Sequence, residues 1–147
     1  MKYLLILILI TIFSSCAPKS EQVIKETKTN DIELQMIEAY QEGVKALESG
    51  DATYAAKKFN EAELLFPQSE WAPKSSLMAS YAFWTQGYYS NSIGELKRFL
   101  RLYPKYQNLD YAYYLLAINY YDSIVDEKKD LRPLEEAKKY FLIIINE

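Results

Sequence analysis

GVKALESGDATYAAKKFNEAELLFP, residues 43–67, and SYAFWTQGYYSNSIGELKRFLRLYP, residues 80–104, decide the fold. In the first, Gly43 is followed by Ala55 after twelve residues, Ala62 after seven more and Pro67 after five more. In the second, Ser80, Ser92, Phe99 and Pro104 keep the same intervals. A third unit begins at Ala117, but twenty residues separate it from Ala137 before the interval of seven returns at Ile144, so eight residues are inserted between its halves. The second halves also share a small residue followed four later by an apolar one: Ala55 and Phe59, Ser92 and Leu96, Ala137 and Phe141. Self-similarity at a fixed period marks a repeat architecture, in which each unit buries its apolar face against the next.

Helical spacing runs through these units. Met36, Tyr40, Gly43 and Leu47 recur three or four residues apart, Asn30 stands three ahead of Glu33 as a capping box, and Gly50 ends that helix. Further helices are expected at about 52–66, stopped by Pro67, at about 71–86, stopped by Gly87, and at about 90–103, stopped by Pro104. Breaks this short make successive helices antiparallel neighbours. The pattern resembles the tetratricopeptide repeat, a pair of helices with small residues where they cross and Pro at the end. The expected fold is therefore all-α, a right-handed solenoid of antiparallel helix pairs, with repeats at about 31–67, 71–104 and 108–147. Gly43, Ser80 and Ala117 would let helices approach, and Phe59, Phe83, Phe99, Tyr120 and Phe141 would fill the gaps between them.

In such a scaffold the first helix of each unit lines a groove. Its candidate residues are Tyr40, Val44 and Leu47, then Leu77, Tyr81 and Trp84, then Tyr114, Ile118 and Tyr121. This aromatic and apolar set suits an extended peptide. Each of these side chains also has a plainer reading as core filler between helices.

The N-terminus reads as a processing segment. Lys2 precedes an apolar run over residues 3–13, too short for a permanent span of about 20 residues. Phe13, Ser14, Ser15 and Cys16 resemble a lipobox, with Phe13 where Leu is usual. Residues 1–15 are thus expected to be a lipoprotein signal peptide and Cys16 the lipidated mature N-terminus, the alternative being an ordinary secretory signal with a coincidental cysteine. The lipobox resemblance implies acyl chains on Cys16, and Ala17, where a retention signal would place Asp, leaves the outer membrane as destination. Residues 16–30, polar and charge-mixed, read as a flexible tether before a domain at 31–147.

Composition narrows the chemistry. The chain of 147 residues has no histidine and one cysteine, which removes His-based acid–base catalysis and any internal disulfide. Its net charge of −3 implies no nucleic-acid surface. No nucleophile elbow, phosphate loop or metal-ligand spacing appears, so the expectation is no enzyme, no cofactor and no metal. The charge runs at Lys57 and Lys58, at Lys97, Arg98 and Arg101, and at Lys128 and Lys129 read as solvated faces rather than an anion site.

A narrower resemblance rests on Phe66, Pro67, Gln68, Ser69, Glu70, Trp71 and Ala72, on Arg98, Phe99, Leu100, Arg101, Leu102, Tyr103 and Pro104, and on Asn108, Asp110, Tyr111 and Ala112. These resemble the BamD family, formerly ComL, the tetratricopeptide lipoproteins of the outer-membrane β-barrel assembly machinery. The insert from Tyr121, Asp122, Ser123, Ile124 and Val125 to Asp130, with Pro133 reopening a helix, sits where that family also interrupts its third repeat. The resemblance implies a periplasmic scaffold held at the outer membrane by acyl chains on Cys16. Its implied partners are BamA, other subunits of the complex, and the C-terminal segments of unfolded outer-membrane proteins, captured on the N-terminal repeats. Docking on BamA is assigned in the family to C-terminal repeats. Against the family's about five repeats, the apolar run Leu142, Ile143, Ile144 and Ile145 suggests a truncated sequence. The competing reading is another periplasmic tetratricopeptide lipoprotein, serving cell-envelope division or pilus assembly.

Overall fold

The computed structural model describes residues 19–125 and 130–146, with side chains from residue 29 onward. The signal peptide and Cys16 lie outside the described residues, as do Lys128 and Lys129. Among the described residues there are six helices and no strand: α1 (Lys19–Glu48), α2 (Ala52–Leu65), α3 (Trp71–Thr85), α4 (Tyr89–Leu102), α5 (Leu109–Asp122) and α6 (Arg132–Asn146). Contacts divide the chain into Met1–Asp31 and Ile32–Glu147, and the second part holds α2 to α6 and the portion of α1 from Ile32 onward. The fold is all-helical and of the tetratricopeptide type, as the intervals predict.

The start of α1 departs from the expectation. The helix is already formed at Lys19, so the stretch read as a tether is helical from there, and Asn30 lies inside the helix and does not cap it. Residues 19–30 contain neither Gly nor Pro, and nothing in them stops a helix that begins earlier.

Two of the three turns within helix pairs are built alike. At the end of α1, Gly50 takes φ +81°, its N–H donates to Leu47 O at 3.0 Å, and the Asp51 N–H donates to Ala46 O at 2.9 Å. This is a Schellman closure, which needs a residue at positive φ. Asp51 then caps α2, its Oδ1 accepting from the Tyr54 N–H at 3.0 Å. At the end of α3, Gly87 takes φ +75°, with Gly87 N–H to Trp84 O and Tyr88 N–H to Phe83 O, both 2.9 Å. The corresponding place after α5 is Ile124, a β-branched residue that disfavours positive φ. Its N–H still reaches Tyr121 O at 3.2 Å, but the chain runs on through residues 124–131 before α6 starts. The insert thus stands where the repeat loses its turn glycine.

Between pairs, proline sets the ends. Phe66 and Tyr103 precede Pro67 and Pro104 and leave helical geometry at φ −139° and −122°. Neighbours in sequence then pack as neighbours in space, α2 on α3, α3 on α4, α4 on α5 and α5 on α6, while α3 also meets α5.

Small residues mark every crossing within a pair. A Cβ on Gly43 would stand 2.9 Å from the ring of Phe59, which is fully buried, as is Ala55. In the second pair, the buried Ser92 hydroxyl donates to Ser80 O at 2.8 Å, so two small polar residues close the crossing with a hydrogen bond. In the third pair Ala117 and Ala137 are buried. Around these crossings lie two large apolar clusters. One joins Ala46, Ala55, Ala56, Phe59, Ala79 and Ala82. The other joins Leu77, Leu96, Phe99, Leu115, Leu116 and Tyr140.

Candidate functional site

The nine groove candidates divide into three groups. Leu77 is buried in the core between α3, α4 and α5, which corrects its reading as a groove residue: its place on α3 turns it toward Leu96 and Phe99 rather than outward. Tyr40, Val44 and Leu47 are half-buried against the first cluster. Tyr40 meets Phe59 and Trp71 edge-on, with centroids 5.2 Å away in both cases, and burial raises its hydroxyl pKa. Its ring therefore serves packing as much as surface. Tyr81, Trp84 and Ile118 lie half-buried on the second cluster, and Tyr114 and Tyr121 are exposed, at 45% and 58%.

The structure brings an aromatic group together across α3 and α5. Tyr81 and Trp84 sit one turn apart on α3, their rings tilted against each other at 5.6 Å. Trp84 Nε1 donates to Asp122 Oδ2 at the end of α5, at 2.8 Å. Tyr111, absent from the sequence-based set, belongs here: burial raises its hydroxyl pKa first, and the nearby phenols of Tyr81 and Tyr114 add to the rise. The signal for it was available, since Tyr111 precedes Tyr114 by three residues on one helix face. Four large rings thus form one partly exposed surface. It offers hydrocarbon and ring area with hydroxyl groups among it, the chemistry of a binding surface rather than of a reaction.

A second assembly, polar and mostly buried, ties the first two pairs. Arg98 on α4 holds the carboxylate of Glu63 on α2 with both ends of its guanidinium, Nη1 to Oε1 at 2.9 Å and Nη2 to Oε2 at 2.6 Å. Nη2 also reaches Asn60 Oδ1 at 3.1 Å and Ser76 Oγ at 3.0 Å, and Nε reaches Glu95 Oε2 at 2.9 Å. The Tyr103 hydroxyl donates to Glu63 Oε1 at 2.7 Å. Glu63 is 4% exposed, so a charge that would be costly alone is met by three donors. The Glu63 hydrogen bond holds the Arg98 pKa above its usual value, and burial, then Glu63, does the same for Tyr103.

For Arg98 and Lys58 this corrects the reading of the charge runs as solvated faces. Arg98 is a structural hub, whereas Lys97 is exposed, 5.6 Å from the centroid of Tyr120, whose hydroxyl raises the lysine pKa through a hydrogen bond. Lys58 likewise pairs with Glu42 and Glu61, both at 2.9 Å. Lys57 and Arg101 are exposed as expected. At the start of α3, a depression of about 350 Å³ is lined by Glu70, Pro73, Lys74, Lys105, Tyr106 and Gln107. Lys74 there lies 5.0 Å from the Trp71 ring centroid.

Repeated helix pairs with small crossing residues define a helical-repeat protein, and this one carries a partly exposed aromatic face. Comparison with known proteins gives the family: residues 32–147 match the YfiO model, described as "Outer membrane lipoprotein", and the chain belongs to that family. It is 35% identical over 124 residues to an outer membrane protein assembly factor BamD of Caulobacter vibrioides, covering 84% of this chain and 39% of that protein. It is 31% identical over 102 residues to the protein of the same description from Rickettsia prowazekii, covering 69% and 41%. With that from Neisseria gonorrhoeae it shares 34% over 79 residues, covering 54% and 30%. In the first two comparisons the aligned part is about two fifths of the relative's length.

Proposed function

We propose that this chain is an outer-membrane-anchored periplasmic scaffold of the β-barrel assembly machinery, non-catalytic, that binds C-terminal segments of unfolded outer-membrane proteins and docks on BamA and other subunits. The relatives that it resembles are outer membrane protein assembly factors, which supports this process. The observation that carries the reading is the aromatic face of Tyr81, Trp84, Tyr111 and Tyr114. An extended segment with alternating apolar side chains can set them among these rings while its backbone stays solvated at the polar rim. Tyr121 and Ile118 extend the face along α5, and Tyr40, Val44 and Leu47 belong to it at the first pair.

Aromatic anchors of this kind lose about 2 kcal/mol or more on truncation when they carry binding. Tyr81→Ala combined with Trp84→Ala is expected to weaken crosslinking to a C-terminal barrel peptide at least tenfold, with helix content by circular dichroism unchanged. Crosslinking equal to that of the parent would remove the face from the reading.

The anchor is Cys16, carrying acyl chains. One chain holds a protein marginally and two signals hold it stably, so a multiply acylated cysteine fixes the scaffold at the membrane. Cys16→Ala is expected to abolish incorporation of labelled palmitate. Undiminished labelling, or a mature N-terminus without lipid at another residue, would place the anchor elsewhere.

A further inference from the structure

The indole of Trp84 is tied to a helix of the next pair, its Nε1 donating to Asp122 Oδ2 at 2.8 Å across 38 residues of sequence. Asp122 is the last residue of α5. The unpaired carbonyls of a helix C-terminus repel a carboxylate there, so Asp122 stands against its local preference. A residue that breaks a local rule points to a task elsewhere in the molecule, and here the carboxylate meets the single donor of an indole ring.

The ring it holds lies on the surface proposed above as the peptide site. Trp84 packs on the cluster that holds Leu77, Leu115 and Leu116, and Tyr81 leans on it at 5.6 Å and an interplanar angle of 49°. Packing on that cluster and against Tyr81 restrains the indole, and the hydrogen bond to Asp122 opposes a rotation that would turn the N–H toward water. A ring already held in its bound rotamer costs less to order when a ligand arrives.

We infer that Asp122 is the positioning residue of the aromatic face: by accepting from Trp84 Nε1 it locks the indole against Tyr81 and pre-organises the surface that receives an apolar ligand side chain. The inference rests on the peptide-binding reading of that face. The bond also joins the C-terminal ends of α3 and α5, so it sets the spacing of two first helices where a ligand would cross them.

The test uses the ¹⁵N-labelled chain, whose two indole N–H signals are assigned with Trp84→Phe. The probe is a synthetic ten-residue peptide of alternating apolar and polar residues, ending in Phe with a free carboxylate. Asp122→Ala is expected to shift the Trp84 indole signal, to speed its exchange with solvent and to weaken the probe about fivefold, the cost of ordering one side chain on binding. Its helix content should match the parent and its unfolding midpoint stay close to it, because the better helix former and the removal of a carboxylate from a helix end offset the loss of one exposed hydrogen bond. Asp122→Asn keeps an acceptor and should restore both the signal and, within about twofold, the affinity. In Trp84→Phe, Asp122→Ala should weaken the probe no further.

An indole signal unmoved in Asp122→Ala would overturn the positioning role, as would unchanged affinity beside a moved signal, or an Asn variant as weak as the Ala one. Failure of the parent itself to bind the probe would instead sink the peptide reading. The indole signal would then decide on its own whether Asp122 holds Trp84.

Discussion

Gly43 shows how one residue can carry a packing rule against its own propensity. Within a helix, Gly→Ala normally gains about 1 kcal/mol by reducing the freedom of the unfolded chain. At Gly43 the added Cβ would come within 2.9 Å of two ring carbons of Phe59, which is fully buried and also met edge-on by Tyr40. A ring so enclosed has no room to yield without moving α2. Overpacking of this kind costs about 1–3 kcal/mol, so the propensity gain is outweighed or at best matched. Gly43→Ala is expected to be destabilised by about 1 kcal/mol in urea unfolding. Gly94, with nothing within 4 Å of its would-be Cβ, supplies the control: there the same change should stabilise. Stabilisation at both positions would show that α1 and α2 do not approach as closely as described.

At the scale of elements, the sequence was legible wherever a feature was local or repeated. Five of the six helices begin within about two residues of their expected positions, because Gly50, Pro67, Gly87 and Pro104 act through backbone geometry that needs no tertiary context. The start of α1 was missed for the converse reason: Asn30 and Glu33 satisfy a capping spacing, but a cap signal decides nothing when the preceding residues are themselves willing helix formers. The crossing residues were legible because the interval between Gly43 and Ala55 recurs at Ser80 and Ser92. The aromatic face was legible only in part. Periodicity placed Tyr81, Trp84 and Tyr114 on first helices, but it could not tell that Leu77, on the same helix, turns into the core. Nor could spacing reveal that Arg98, inside a run of cations, meets Glu63 on another helix, since that pairing spans 35 residues and depends on how two helix pairs stack.

At the scale of the whole domain, stability in a repeat array is the sum of what each unit holds internally and what each junction adds. The two junctions here are made differently. The first pair is joined to the second by the Arg98 hub, in which Glu63 and Asn60 of α2 meet Ser76 of α3 and Arg98 of α4. The second is joined to the third by the apolar cluster of Leu77, Leu96 and Phe99 with Leu115 and Leu116, to which Trp84 with Asp122 and Lys97 with Tyr120 add polar contacts nearer the surface. Arg98→Met would leave the Glu63 carboxylate buried with only the Tyr103 hydroxyl as its remaining partner. Removing one partner of a buried pair costs about 3 kcal/mol, because the charge left behind is uncompensated. Glu63→Leu in the same chain removes that charge and should recover part of the loss, although Asn60, Ser76 and Tyr103 then lack their partner. The consequence reaches beyond a number, since a weakened junction lets α1 and α2 melt apart from the rest. Urea unfolding of Arg98→Met is therefore expected to become broader or biphasic, with amide exchange rising first in α1 and α2, while the double variant returns toward a single transition. A single transition shifted without change of slope, and exchange rising evenly in all six helices, would show that the hub stabilises the domain as a whole and does not couple one pair to the next.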